Sequence, residues 1–170
     1  KSRKLPKKDW ATVGTKGERD HNIVNSLFID PKDCTEHNQK LQQKYDTISQ
    51  NEVRYEERYT DDCEVLFVAY GTTARICHAA AHKLREAGVK AGVFRPISLW
   101  PFPERELYAC ANRDGVKAVV CAEMSMGQMI DDVKIALNGT KPVHFFGSGG
   151  GTFPTPSELT KAALQALERE

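Results

Sequence analysis

The chain has 170 residues and a formal net charge of +1, with 40% hydrophobic and 28% charged residues. This composition is typical of a globular domain whose core is large enough to fold independently. A charge so close to neutral gives no reason to expect a nucleic acid or an anionic membrane as partner. No segment has the roughly 18 consecutive apolar residues of a membrane helix, and no signal sequence opens the chain.

The cysteine usage favours a reducing compartment. The five cysteines are odd in number and scattered, and several fall within segments that have helix or strand patterns. Such usage is typical of cytosolic thiols rather than of a disulfide framework. We therefore expect a cytoplasmic location, in which the glycosylation sequon at residues 138–140 is irrelevant. Because Lys1 is not preceded by an initiator methionine, we also expect a piece of a longer polypeptide.

Residues 1–30 are predicted to form a connecting strap. The first eight residues are basic, which is typical of a solvated segment, with a binding tail as the alternative. The apolar run Ile23, Val24, Leu27, Phe28, Ile29 fits either a docking strap or an edge strand. Asp30-Pro31 is a helix-start signal. It predicts an amphipathic helical segment over residues 31–60, running to about Tyr59, with a possible break at residues 49–51.

Residues 61–170 alternate regularly between strand and helix patterns. Strands are predicted at residues 64–70, 91–94, 118–122 and 143–146, and helices at 74–87, 104–112, 128–137 and from about 155 to the C-terminus. The strands are short, nearly continuous apolar runs, as in strands buried on both faces. Four strands, each followed by a helix, predict a three-layer α/β/α fold with a mostly parallel sheet.

The carboxyl ends of the strands are where open parallel sheets bind ligands. Gly71, Thr72 and Thr73 place backbone amides and hydroxyls at a helix start, which suits an anion. Alternatively, Thr73 is a plain N-cap whose hydroxyl satisfies an orphan amide. Arg95 ends the second strand and is a candidate contact for the same anion.

Glu123 ends the third strand and is the most prominent acid of this edge. A carboxylate at this position can act as a base, bind the amides of a partner, or cap the next helix. Since one acid without a partner does not make an active site, we predict no catalytic role. Gly127 and Gln128, in the turn that follows, are further candidate contacts.

Other patterns are too incomplete to predict a bound group. The glycine run at 147–151 leads into prolines, so it lacks the strand-to-helix glycine of a dinucleotide site. His78 and His82 lie one turn apart, but no third ligand is evident and we expect structural histidines. No Cys-x-x-Cys motif is present, so we expect no iron–sulfur cluster on this chain. The sequence predicts neither a metal site nor a complete catalytic set.

The loop at residues 97–103 contains Trp100, followed by Pro101, Phe102 and Pro103. A stiff aromatic segment of this kind is typical of an interface. Alternatively, Trp100 covers the hydrophobic core of its own domain.

Several sequence segments, in their order along the chain, resemble the C-terminal part of the α-subunit of 2-oxoacid:ferredoxin oxidoreductases. The segments lie at residues 68–75, 95–103, 123–129, 131–134 and 146–147, with a Pro-Thr-Pro turn at 154–156. The resemblance runs from about residue 10 to the end of the chain. Residues 21–27 and 37–41 resemble the branch for branched-chain substrates, the 2-oxoisovalerate type.

The resemblance implies a transketolase C-terminal-domain-like fold with an added antiparallel edge strand. Such enzymes oxidatively decarboxylate a 2-oxoacid, form an acyl-CoA and pass electrons to ferredoxin. Thiamine diphosphate, magnesium and iron–sulfur clusters are implied for the whole complex, through other domains and subunits. The implied partners are an upstream pyrimidine-binding domain of the same subunit, the other subunits and, indirectly, ferredoxin. The chain has no Gly-Asp-Gly metal-diphosphate motif.

We therefore expect a non-catalytic assembly domain that is inactive alone. Its rigid sheet would brace neighbouring catalytic domains, and the Trp100 loop would provide an interface. The alternative is a small-molecule module that binds CoA or another anion. Its pocket would be formed by Gly71, Thr72, Thr73, Arg95 and Glu123. A response-regulator-like switch would need an acid at the end of the first core strand, which this sequence lacks.

Overall fold

The structure is a computed structural model that describes residues 4–8, 11, 14–23 and 25–168. The chain divides into two compact units, Lys1–Gln43 and Lys44–Glu170. Part of the predicted basic segment, and Val24 of the predicted apolar run, lie outside the described residues. The division into a strap, a helical segment and an α/β domain stays a prediction.

The first unit contains the start of helix α1 (Pro31–Asn51). Asp30 Oδ1 accepts hydrogen bonds from the amides of Lys32 at 2.8 Å and Asp33 at 3.2 Å. Asp30 therefore satisfies two of the orphan amides at the helix start, as the Asp30-Pro31 signal predicts. The described residues before α1 form neither helix nor strand, so the edge-strand interpretation of residues 23–29 is not supported.

The second unit contains the alternating strands and helices. In chain order they are β1 (Tyr55–Arg58), β2 (Val65–Val68), α2 (Gly71–Glu86), β3 (Ala91–Pro96), α3 (Glu104–Ala111), β4 (Ala118–Glu123), α4 (Met129–Leu137), β5 (Val143–Gly147) and α5 (Pro156–Glu168). The predicted strand–helix alternation from residue 61 onward is confirmed.

The five strands form one sheet in the order β1-β3-β2-β4-β5. β2, β3, β4 and β5 run parallel to their neighbours, whereas β1 pairs with β3 in the antiparallel direction. Helices α2 and α5 pack on one face of the sheet, and α3 and α4 pack on the other. The predicted mostly parallel α/β fold with an antiparallel edge strand is confirmed.

The predicted helix to about Tyr59 is wrong in its C-terminal part. α1 ends at Asn51, and Tyr55–Arg58 form the edge strand β1. Glu56 pairs with Arg95 and Glu57 with Phe94 in the antiparallel ladder, while the ring of Tyr55 stacks on Phe94 at 5.3 Å. Pairing with β3 overrides the low strand propensity of this charged segment.

Strand residues alternate between the two faces of the sheet. Val65 and Phe67 point to the α2/α5 face, and Leu66 and Val68 point to the α3/α4 face. All four side chains are fully buried, each contributing about 2 kcal/mol of hydrophobic stabilisation. Across the described part of the chain, every buried apolar side chain lies within residues 63–166. The sheet is therefore a rigid platform for the loops at its edges.

None of the helices among the described residues has both the length and the apolar character to cross a membrane.

Candidate functional site

The turns after β2, β3, β4 and β5 lie along one edge of the sheet, because these strands are parallel. This edge is where ligands bind in open α/β folds. It carries all the candidate contact residues except Trp100, which lies further along the loop after β3.

Glu123, the last residue of β4, is completely buried. Its Oε1 accepts a hydrogen bond from the Ile130 amide at 2.9 Å. Its Oε2 accepts hydrogen bonds from the amides of Gln128 and Met129, at 3.1 and 3.0 Å, and from the Ser125 hydroxyl at 2.9 Å. One carboxylate thus caps the start of α4.

The electrostatics of Glu123 agree with a cap. Burial raises the pKa of its carboxyl. Hydrogen bonds from the Met129 amide, the Ser125 hydroxyl and two further amides lower the pKa, and their combined effect is larger than that of burial. The pKa is therefore below its ordinary value, and the negative charge is held at the positive end of the α4 dipole. Because both oxygens are engaged within the domain, the cap is the best-supported of the three predicted roles for Glu123.

Gly127 and Gln128 belong to the same β4–α4 turn. Gly127 has a φ of +110° that disfavours a side chain, and its amide donates to Ser125 Oγ at 3.3 Å. Gln128 precedes the first residue of α4, and its side chain is exposed. The structure therefore brings Glu123, Gly127 and Gln128 together, with Gln128 as the exposed member of the three.

The start of α2 holds the other predicted cluster. Gly71 and Thr72 are exposed in the first turn, whereas only 3% of Thr73 is exposed. The capping position is occupied by Tyr70, which makes no side-chain cap hydrogen bond. The predicted capping role of Thr73 is therefore wrong, because the helix starts at Gly71, three residues earlier than predicted. Gly71 and Thr72 are the members of this cluster that a ligand could reach.

Arg95 and Glu123 do not share a pocket. Arg95 follows Val93 on the α2/α5 face, whereas Glu123 follows Cys121 on the α3/α4 face. Arg95 Nη1 forms an ion pair with Glu56 Oε2 of β1 at 2.9 Å. The alternating direction of strand side chains thus separates two residues that both lie at the carboxyl edge, so the predicted five-residue anion pocket is not assembled.

The two helix histidines have different surroundings. Nδ1 of His78 and Nε of Arg95 are both buried, and neither has a hydrogen-bond partner among the described residues. Burial, together with the charges of Arg58 and Arg95, lowers the pKa of His78. His82 lies instead on the surface, with Nδ1 3.4 Å from Glu86. Within the described ranges, no three His, Cys, Asp or Glu side chains are placed to hold a metal ion.

Trp100 lines an open cleft of about 650 Å³. The lining residues are Asp46, Ser49, Gln50, Val53, Leu99, Trp100, Pro101, Phe102, Glu104, Arg105, Glu106 and Asp132. The Trp100 side chain is 59% exposed and contacts the ring of Tyr45 edge-on, with the ring centroids 5.6 Å apart. This exposure favours the interface interpretation of the Trp100 loop over a role in covering the core.

The carboxylates of this cleft and one partly buried ion pair were not predicted from the sequence. Arg113 Nη1 lies 2.5 Å from Glu57 Oε2 and 2.7 Å from Thr60 Oγ1. The pairing joins the end of β1 to the segment after α3 across more than fifty residues. No local pattern predicts it, because it depends on the register of the antiparallel edge strand.

The described side chains do not fit the cofactors implied for the complex. Burial raises the pKa of Cys63 to about 11 and that of Cys110 to about 12. Burial also raises the pKa values of Cys77 and Cys121. Burial thus favours the neutral thiol at each of these four positions. Glu123, the prominent acid of the edge, is already engaged by α4 and is unavailable to magnesium or to a thiamine ring.

The fold, together with the turns along the carboxyl edge of its sheet, defines a transketolase-like α/β domain. A solved split-gene transketolase, an inactive β4 tetramer, matches with a TM-score of 0.59 and 25% identity, over 68% of this chain and 41% of that chain. A 2-oxoglutarate:ferredoxin oxidoreductase from Magnetococcus marinus, solved with 2-oxoglutarate, coenzyme A and succinyl-CoA bound, matches with a TM-score of 0.67. At 19% identity, over 82% of this chain and 24% of that chain, it shares the fold.

The sequence comparisons are more specific. Residues 63–159 match the model of the pyruvate:ferredoxin oxidoreductase core domain II. The chain belongs to this family. It is 40% identical over 146 residues to the ketoisovalerate oxidoreductase subunit VorB of Methanothermobacter thermautotrophicus, covering 86% of this chain. The match covers 40% of the length of that relative.

Proposed function

We propose that this chain is a non-catalytic assembly domain of a thiamine-diphosphate-dependent 2-oxoacid:ferredoxin oxidoreductase. In that enzyme a 2-oxoacid is oxidatively decarboxylated to an acyl-CoA, and the electrons pass to ferredoxin. The chain contributes a rigid platform and contact surfaces, and it is inactive alone. Its partners are an upstream pyrimidine-binding domain and the other subunits of a cytoplasmic complex, with ferredoxin served indirectly.

The observation that carries this proposal is that both carboxylate oxygens of Glu123 accept hydrogen bonds from within the domain. Among the candidate site residues Glu123 is the single acid, and its two oxygens accept four hydrogen bonds of 2.9–3.1 Å from its own turn and helix. A general base needs a lone pair directed at its substrate. The lone pairs of Glu123 instead accept hydrogen bonds that stabilise the start of α4. We therefore assign this edge a structural role and no role in proton transfer.

The exposed loop after β3 supports the contact role. Trp100 is 59% exposed and Leu99 is 46% exposed, beside the buried Pro101. Aromatic residues are enriched in protein interfaces because they bury a large area with little loss of conformational freedom. A rigid sheet holding such a loop is suited to positioning neighbouring domains.

The preferred substrate in this proposal is a branched-chain 2-oxoacid. Support comes from the similarity to VorB, a ketoisovalerate oxidoreductase subunit. The test is to compare turnover of 2-oxoisovalerate, 2-oxoglutarate and pyruvate by the complete enzyme that contains this chain. A preference for either of the last two would contradict the branched-chain assignment without affecting the assembly role.

The assembly role is tested in two measurements. The purified chain alone should reduce no viologen dye with 2-oxoisovalerate, CoA, thiamine diphosphate and magnesium present. Mixed with the remaining polypeptides of its oxidoreductase, the chain should co-elute with them in size-exclusion chromatography. Turnover by the isolated chain, or its separate elution from the other polypeptides, would overturn the proposal.

Anion binding at the start of α2 is the second candidate function. Gly71 and Thr72 are exposed there, and Tyr70 supplies no side-chain cap, so a ligand could reach this helix start. Calorimetry with CoA distinguishes the two functions. Saturable heat that disappears when inorganic phosphate competes would favour the binding module, and no heat at about millimolar CoA would remove it.

A further inference from the structure

The cleft beside Trp100 has an apolar part of its lining that solvent can reach. The apolar lining residues are Val53, Leu99, Trp100, Pro101 and Phe102. Leu99 is 46% exposed and Trp100 is 59% exposed, so much apolar area remains in contact with water. An apolar side chain placed against Trp100 would remove that area from solvent, which is the usual source of affinity at the centre of an interface.

The lining of the same cleft is also strongly acidic. Among the described residues, its charged members are the carboxylates of Asp46, Glu104, Glu106 and Asp132 and the guanidinium of Arg105. The whole chain, by contrast, has a formal net charge of +1. Among the residues that the structure describes, no lysine or arginine forms an ion pair with Glu104, Glu106 or Asp132.

Helix dipoles account for only part of this acidity. Glu104 and Glu106 lie in the first turn of α3, and Asp132 lies in the first turn of α4, where negative charge is favourable. Asp46 lies in the last third of α1, toward the negative end of that helix, so the dipole gives no reason for an acid there. Burial and the neighbouring Asp131 raise the pKa of Asp132.

We infer that this cleft docks a segment of a partner polypeptide in which an apolar side chain is flanked by lysine or arginine. The apolar side chain lies against Trp100 and Leu99, and the cations pair with Glu104 and Asp132. The inference rests on the proposed assembly role and adds the chemistry of the segment that is bound. Charge complementarity of this kind sets the orientation and the partner choice of an interface.

The probe is a synthetic peptide, acetyl-Lys-Lys-Leu-Phe-Lys-Lys-amide, compared with the same peptide carrying glutamate at each lysine. Binding to the full chain is followed by NMR at the indole N–H of Trp100, which a Trp100→Phe variant assigns. The lysine peptide should give saturable shifts at this indole. Its affinity should be at least tenfold higher than that of the glutamate peptide, and it should fall about tenfold between 20 and 300 mM salt.

Matched variants separate the cleft from general charge. The pair Glu104→Gln with Asp132→Asn should weaken the lysine peptide about tenfold, whereas Glu86→Gln with Asp114→Asn, outside the cleft, should leave it unchanged. Both pairs are checked by thermal unfolding. If the cleft pair unfolds, the salt dependence and the comparison of the two peptides on the unaltered chain decide the question.

Two outcomes overturn the inference: no shift at Trp100 up to about 5 mM lysine peptide, or equal binding of the two peptides. Co-elution of the chain with the other polypeptides of the oxidoreductase is measured on the same preparations. Co-elution without peptide binding removes the cleft inference alone and leaves the assembly role intact. Loss of co-elution removes the assembly role as well.

Discussion

Glu123 shows how a single buried residue joins two elements. Its carboxylate lies at the end of β4 and accepts three amide hydrogen bonds at the start of α4. The first amides of a helix have no partner within the helix, and burial would leave them unsatisfied. An acid at this position satisfies them and places its charge at the favourable end of the helix dipole.

Replacing Glu123 with glutamine should therefore destabilise the domain by about 2–4 kcal/mol. The amide NH₂ of glutamine cannot accept the hydrogen bonds that Oε1 or Oε2 receives, so buried donors lose their partners. Urea unfolding measures the change. The matched control is Glu86→Gln at the exposed contact with His82, for which we expect less than about 0.5 kcal/mol. Equal effects of the two substitutions would contradict the capping role.

The contribution of Glu123 should also depend on pH. The pKa of its carboxyl in the folded chain is below the ordinary value of 4.5. The unfolded chain therefore takes up the proton first as the pH falls, and stability is lost on the acid side. We expect the stability difference between the unaltered chain and Glu123→Gln to be full above about pH 5 and to shrink as the pH falls through the folded pKa. Unfolding measured from pH 7 to pH 3 checks this, and a constant difference would be the contrary result.

At the scale of elements, the backbone of β3 lies very close to the segment that follows β1. A Cβ atom built on Gly92 would lie 2.8 Å from the carbonyl oxygen of Tyr59 and 3.0 Å from Cys63. The segment that follows β1 therefore crosses β3 at a distance that only glycine permits. This contact fixes how the antiparallel edge strand turns back toward β2.

Gly92→Ala should consequently destabilise the domain by about 1–3 kcal/mol, because the backbone of β3 or of Tyr59 must shift. Gly149→Ala is the control, since its Cβ would make an ordinary contact of 3.6 Å with the exposed Met126. Thermal unfolding of the two variants gives the comparison. A Gly92→Ala variant as stable as the control would show that the approach is looser than the structure has it.

The edge strand β1 also shows where local reasoning failed. Residues 52–59 contain five charged residues and continue the composition of the preceding helix, so they have no alternating apolar pattern. The strand forms because Tyr55 stacks on Phe94 and because Glu57 pairs with Arg113 across the chain. The partners lie in β3 and in the segment after α3, and no local sequence window includes them.

At the scale of the whole molecule, stability is concentrated in one part of the chain. All buried apolar side chains of the described residues lie within residues 63–166, whereas no residue of α1 is buried. The family match at residues 63–159 covers nearly the same range. Folding free energy therefore comes almost entirely from the second unit.

Removal of residues 1–43 should leave the second unit folded. We expect a melting temperature within about 4 °C of the full chain, which corresponds to less than about 1 kcal/mol. Circular dichroism during heating measures both proteins under the same conditions. A loss of the cooperative transition would show that the first unit contributes to the core.

The sequence by itself determined the fold class, the order of the four core strands along the chain and the start of α1. Continuous apolar runs and helix-start signals are local, so a single chain displays them. It also determined which turns follow the parallel strands, and therefore which residues meet at one edge. The family resemblance added the antiparallel edge strand, although its location within Tyr55–Arg58 was not predicted.

Only the tertiary structure decided what those edge residues do. The direction of Arg95 and Glu123 to opposite faces follows from strand alternation combined with the packing of helices on each face. The capping role of Glu123 depends on where α4 begins, and the acidic cleft beside Trp100 depends on α1, α3 and α4 meeting. Such features join residues that are distant in sequence, and the physical reason is that burial and hydrogen-bond satisfaction are set by packing between elements.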